Sequence, residues 1–306
     1  MPSQRVLTVV SVPGPGAEDV VVAADGTVWT GTEDGALVRI RPDGSVDRVG
    51  DTGGRPLGLE LMDDGRLLVC DALRGLLTFD PQTAEVTVLV DRVDGTAMRF
   101  CNNAAVEADG TIWFSDSSDR FGVFDWKDDL VQHTRSGRLL RRRPSGEVTV
   151  VLGGLAFANG VALAADDSCV MVAETALRRV QRHWVTGPRA GSTDMFVDDL
   201  PAYPDNIARG SDGLIWVTYA SPTDPVLSFL QKAPAALRTL VRLAPEAVKP
   251  APKRTTRVAA YDLAGHLVHD VELDATHWHM ATGVREHDGR VWLGSLVEPA
   301  VAWFDL

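Results

Sequence analysis

Glu18, Asn102, Asn159 and Asp205 each stand seven residues before an acidic turn, at Asp25-Gly26, Asp109-Gly110, Asp166-Asp167 and Asp212-Gly213. Carboxylate and amide oxygens are the ligands of hard cations such as Ca²⁺, which takes several oxygens in flexible geometry and keeps positions for water or substrate. Two charged and two neutral oxygens suit that ion. Imidazole and thiolate, the donors zinc prefers, are absent from the set, and Mg²⁺, Mn²⁺ or Zn²⁺ stand as alternatives on their shared tolerance of oxygen ligands. Asn103 and Asn206, one residue further on, can add ligands or hold substrate. Asp205 is the expected carboxylate that both ligates and accepts a proton from water, and Asn102, Asn103 and Asn206 are expected to orient the substrate.

What brings these residues together is a repeat. The same turn recurs at Asp64-Gly65 and Asp288-Gly289, preceded at the same offset by Leu57 and Ala281. Asp-Gly between β-rich runs reads as a two-residue hairpin, because both central positions need positive φ. Six copies with four strands each, at a period near 40 to 50 residues, predict an all-β, six-bladed β-propeller spanning residues 1–306 as one domain. Blade one reads as strands at 19–24, 27–31, 36–41 and 46–49, and blade two as 59–62, 66–70, 75–79 and 85–90. The sixth copy has three strands before the chain ends at Leu306, so residues 5–10 are expected to supply the fourth and close the ring. In a radial array equivalent positions form one ring. The loops that follow each second strand lie on the face of that ring.

Two long insertions fall on this face, at 117–137 and 221–257. The first holds Phe121, Phe124, Trp126 and His133. The second carries Val226, Leu227, Phe229, Leu230, Leu237, Leu240, Val241 and Leu243 at helical spacing, with Pro234 placed to start a second helix. Its net charge is about +5, from seven basic residues against Asp224 and Glu246. An amphipathic basic segment can dock on a membrane; its position over the ring and the acidity of the rest of the chain favour a small helical lid in blade five.

The chain has 306 residues, a 45% hydrophobic fraction, a net charge of −12 and mean hydropathy of −0.02. No apolar run is long enough to span a bilayer, and the acidity argues against nucleic acid as a partner. The start, Met1 to Arg5, enters a strand pattern without the apolar core of a signal peptide, so a cytoplasmic location is expected. Cys70, Cys101 and Cys169 have no disulfide or zinc spacing and read as buried thiols. Of seven histidines, the topology directs His133, His277 and His279 toward the ring face. His133 and His279 are the candidates to assist as general base.

Gly54-Arg55-Pro56-Leu57-Gly58-Leu59, Phe114-Ser115-Asp116-Ser117-Ser118, Phe157-Ala158-Asn159-Gly160, Tyr203-Pro204-Asp205-Asn206-Ile207 and Leu293-Gly294-Ser295-Leu296 resemble the strictosidine synthase-like branch of the propellers that include the senescence-marker/gluconolactonase family and the paraoxonases. The resemblance implies that Glu18, Asn102, Asn159 and Asp205 correspond to calcium ligands, with Asn206 as a further one. It implies hydrolysis of lactones, aryl esters or organophosphates. Strictosidine synthases instead condense an amine with an aldehyde, using a glutamate where this chain has Thr282, and the histidine pair of paraoxonases is not reproduced. The expected function is therefore a Ca²⁺-dependent hydrolase of a lactone or ester. Phe121, Trp126 and the Leu-rich insertion point to a lipophilic or aromatic small molecule as substrate. The alternatives are a condensing or rearranging biosynthetic enzyme, and a binding module with a structural metal. Oligomeric state is not legible.

Overall fold

The computed structural model describes residues 5–245 and 249–306. Residues 1–4, on which the reading of the chain start rested, and 246–248, which include Glu246, lie outside them.

Six antiparallel four-stranded sheets form a β-propeller. Blade one comprises Val20–Val22, Val28–Gly31, Ala36–Ile40 and Val46–Asp51. Blades two to five begin at Pro56–Leu61, Cys101–Val106, Ala158–Leu163 and Ala202–Arg209. Blade six is Ala281–His287, Arg290–Ser295 and Ala300–Asp305, and Thr8–Ser11 completes it by pairing Val9 with Ala302 and Val10 with Val301. The closing strand expected at 5–10 thus sits slightly later, and it covers an edge that would otherwise be open.

The strand sequences explain their places. Second strands such as Leu67–Asp71 are buried along their whole length, whereas an outer strand such as Val86–Val90 is largely open to solvent. Apolar side chains fill the space between neighbouring sheets: Val21, Trp29 and Leu37 of blade one meet Leu59, Leu67, Val69, Leu77 and Phe79 of blade two. Each fully buried Leu or Phe of this kind contributes about 1.5–3 kcal/mol. Near the axis the blades approach so closely that side chains are not tolerated. A methyl on Gly160 would overlap the backbone nitrogen of Ile207, and one on Gly58 would stand 2.7 Å from the carbonyl oxygen of Asn102.

The turns differ from the expected two-residue hairpins. In blade one Gly26 N donates to Ala23 O and Ala23 N to Thr27 O, so three residues make the loop. Only Gly26 takes positive φ, while Asp25 accepts Thr27 N through its side chain. The two-residue form occurs in blade six, where His287 pairs with Arg290 and Asp288 and Gly289 both have positive φ. That turn is one residue shorter, which moves the ring position by one. Register shifts mark the ring in blades two to six, at Leu57-Gly58, Asn102-Asn103, Asn159-Gly160, Asp205-Asn206 and Thr282-Gly283. Thr282, not Ala281, is therefore the blade-six member.

The insertion in blade five forms two helices, α2 (Pro225–Lys232) and α3 (Ala235–Arg242), with Asp224 capping α2 through Val226 N and Leu227 N. Pro234 stands at the N-cap of α3. The blade-three insertion holds a helix the sequence did not announce, α1 (Trp126–Gln132). Among the described residues, no helix is long and apolar enough to cross a membrane.

Candidate active site

Each ring residue is held by the loop that leads into its strand. Buried acids at the ends of second strands anchor three of these loops: Asp71 accepts Arg55 N at 3.0 Å, Asp116 accepts Phe100 N at 3.2 Å and Glu174 accepts Ala156 N at 2.7 Å. A second set of bonds stitches blade to blade around the axis. Asp19 accepts Leu59 N at 3.0 Å and Asn103 Nδ2 at 3.4 Å, Asn103 Oδ1 accepts Val161 N at 2.8 Å, and Thr282 Oγ1 donates to Glu18 O at 2.8 Å.

The structure brings Glu18, Asn102, Asn159 and Asp205 to the floor of one cavity, together with Thr282 and Leu57. Asn206 Nδ2 donates to Glu18 Oε1 at 3.1 Å, and Asn159 Nδ2 donates to Thr175 Oγ1 at 3.1 Å. What these bonds leave over defines the site: Glu18 Oε2, Asn102 Oδ1, Asn159 Oδ1 and Asn206 Oδ1 are all buried without a hydrogen-bond partner. Burial of one unpaired oxygen is costly, and four from one ring call for a shared partner.

Charge says the same. Burial, then repulsion from Asp19 and Asp205, lifts the Glu18 carboxyl well above its ordinary range, with Arg55 and Asn206 opposing. Asp205 is pushed up to about 7 by burial, a hydrogen bond from Asn159 opposing and Asp19 adding to the rise. Asp19 is likewise raised to about 7 by burial, against Arg285 and the Leu59 amide. The ring lacks positive charge and has oxygen to spare, so its residues fit a hard divalent cation. Among the described residues no cluster of three His, Cys, Asp or Glu side chains could hold a metal; here amide oxygens of Asn102, Asn159 and Asn206 complete a set with only two carboxylates.

Above the floor the walls are apolar. Phe100, Phe157 and Tyr203 from the blades meet Val123, Leu130 and Val131 of the first insertion and Leu227 of α2. Phe100 and Phe157 make an edge-to-face contact with centroids 5.4 Å apart. The empty space, open mouth included, is about 850 Å³.

Several expected residues stand elsewhere. Asn103 is spent on the inter-blade stitch and does not reach the cavity, and Asn206 contributes its oxygen from the ring rather than as part of the cavity wall. Trp126 lines the cavity, whereas Phe121 does not. His133 caps α1, accepts from Arg135 Nε at 3.2 Å and is held below its usual range by burial and then by Arg135 and Arg238. His279 pairs through Nδ1 with Glu298 and lies 3.4 Å from Arg254 Nη1 through Nε2. Neither histidine lines the cavity, so neither is in place to serve as its base. The residues that sequence reasoning missed include Phe100, Leu130, Phe157, Thr175, Tyr203 and Met280.

A six-bladed propeller with a ring of oxygens beneath a lidded apolar cavity defines the class. Residues 102–188 match the strictosidine synthase family and residues 8–40 its strictosidine synthase-like N-terminal segment. The chain is 35% identical over 309 residues to the adipocyte plasma membrane-associated protein of Salmo salar, an alignment covering 91% of this chain and 73% of that protein. It belongs to the strictosidine synthase-like family that those proteins share. In fold it is similar to a gluconolactonase of Xanthomonas campestris, with a TM-score of 0.72 at 16% identity over 99% of this chain and 90% of that one. It is also similar to regucalcin of Agrobacterium tumefaciens, described as a calcium-binding protein, with a TM-score of 0.67 at 15% identity over 99% and 93%.

Proposed function

We propose that the protein is a calcium-dependent hydrolase of lipophilic lactones or esters. The observation that carries this reading is the set of four unpaired, buried oxygens on one ring, three of them from residues on the floor of an apolar cavity. Glu18, Asn102, Asn159, Asp205 and Asn206 would hold the cation. What a bound divalent cation supplies at such a ring is Lewis acidity, stabilising the negative charge that grows on a carbonyl oxygen as water adds.

The chain's own residues do the rest. The walls of Phe100, Trp126, Leu130, Phe157 and Leu227 seat an apolar or aromatic substituent and keep bulk water from the carbonyl. Asp205 lines the cavity, so it can take up the proton that water loses. Glu18 carries the second negative charge of the site, and its orientation is fixed by Asn206. Tyr203 holds the lid to the cavity, its hydroxyl oxygen accepting Asp224 N at 3.3 Å. The gluconolactonase and regucalcin likenesses support a lactone-directed, calcium-dependent reading.

A panel of aryl and alkyl lactones and aryl esters, assayed with Ca²⁺, Mg²⁺ or Mn²⁺ and with chelator, tests it. Turnover that needs the cation, and favours apolar members, is expected. No cation-dependent hydrolysis of any member would refute the proposal.

A further inference from the structure

An amide side chain is a ligand only if its oxygen, not its nitrogen, faces the ion. Something must therefore set the polarity of Asn159. Thr175 opens the short turn Thr175–Leu177 after the second strand of blade four, and its backbone is pinned by the bond from its N to Phe157 O at 3.1 Å. Its hydroxyl has one hydrogen, and that hydrogen is committed: Oγ1 donates to Pro204 O at 2.8 Å. Toward Asn159 the hydroxyl can then only accept, which it does from Nδ2 at 3.1 Å. A flipped Asn159 would set its oxygen against a lone pair with no proton between them. The unpaired Oδ1 is left for the cavity.

The same hydroxyl touches a second ligand's support. Pro204 immediately precedes Asp205, in blade five, so one side-chain oxygen sets the amide of the blade-four ligand and fixes the backbone next to the blade-five ligand. Thr175 is itself buried and lies on the cavity wall.

We propose that Thr175 is a positioning residue of the cation site, locking Asn159 with its oxygen inward and tying that lock to the strand that carries Asp205. This rests on the reading of the ring as a divalent-cation site. Removing an outer hydrogen-bond partner of a ligand typically weakens metal affinity about 10–100-fold.

Calorimetric titration of chelator-treated protein with Ca²⁺ provides the test, using the parent, Thr175→Val and Thr175→Ser. The serine keeps the hydroxyl and the valine keeps the shape. Expected are parent-like affinity for Thr175→Ser and at least about tenfold weaker affinity for Thr175→Val, with both variants melting cooperatively in chelator. Parent-like affinity of Thr175→Val overturns the proposal. Equal weakening in both variants also overturns it, because keeping the hydroxyl in Thr175→Ser would then preserve no more affinity than removing it in Thr175→Val. If Thr175→Val does not fold, weakened affinity in the folded Thr175→Ser variant overturns it and parent-like affinity there supports it. A parent that binds no divalent cation refutes the cation site itself, and this inference with it.

Discussion

Replacing Asp205 by Asn separates the cost of the site from its use. In the cation-free protein, burial holds the Asp205 carboxyl near 7 against an ordinary value of 3.8. At pH 8 the group is ionised in both folded and unfolded chains, and the folded state bears the difference. About 3 pH units at 1.36 kcal/mol each come to roughly 4 kcal/mol. The sign follows from the raised folded value: the penalty is absent below about pH 4, grows between about pH 4 and 7, and is full above that. Asp205→Asn removes that penalty, so the variant in chelator at pH 8 is expected to be more stable than the parent. For 306 residues at about 2.1 cal/mol/K each, 4 kcal/mol corresponds to a rise in Tm of roughly 6 °C. At pH 4 the two proteins should nearly converge. Calcium closes the gap, since ligand at 1,000 times Kd adds about 4.1 kcal/mol to a protein that binds it, and the variant, with one charge fewer, gains little. Thermal melts at pH 4 and pH 8, in chelator and in a calcium series, give all four corners. A variant that melts below the parent in chelator at pH 8, or that keeps the parent's calcium shift, refutes the reasoning.

Gly160→Ala should destabilise by at least about 3 kcal/mol, because the new methyl meets the backbone of the next blade, while Gly153→Ala, with nothing within 4 Å, should leave the urea midpoint unchanged. Trp126→Ala should raise KM for aryl lactones on the order of tenfold, about 1.4 kcal/mol of lost contact, and change short-chain substrates less; equal effects on both would remove Trp126 from the substrate wall. Asp194 is held at about 2, first by its hydrogen bond from Arg182 and then by Arg189 and Trp184. Its contribution is present above about pH 4 and lost as pH falls toward 2, so Asp194→Asn should lower the melting temperature at pH 7 and draw level with the parent near pH 2.

The propeller was legible because its punctuation is local: each Asp-Gly turn with its flanking apolar strands announces itself within a dozen residues. The ring followed from counting back from those turns, and it gathered Glu18, Asn102, Asn159 and Asp205 correctly onto one floor. Counting failed in blade six because the Asp288-Gly289 loop is one residue shorter, which only the hydrogen-bond register reveals. Asn103 illustrates another limit. Its neighbour Asn102 faces the cavity, but at the register shift the next side chain turns into the joint between blades, and residue type alone does not tell which way it goes. The topology directed His133 and His279 toward the ring face, yet their rings turn to Arg135 and Glu298, partners set by loop paths rather than by periodicity. Thr175 carried no signal, since its role depends on a proton committed to a carbonyl 29 residues away.

The bond between Asn206 and Glu18 joins residues 188 positions apart. It can form only when blade five has come round to meet blade one, so this contact is a loop closure among the longest the chain makes, and its entropic cost falls late in folding. Cation affinity then becomes a clock for circularisation: a refolding chain with four blades in place would hold Glu18, Asn102 and Asn159 but neither Asp205 nor Asn206, and a calcium-sensitive signal would appear only as the circle shuts.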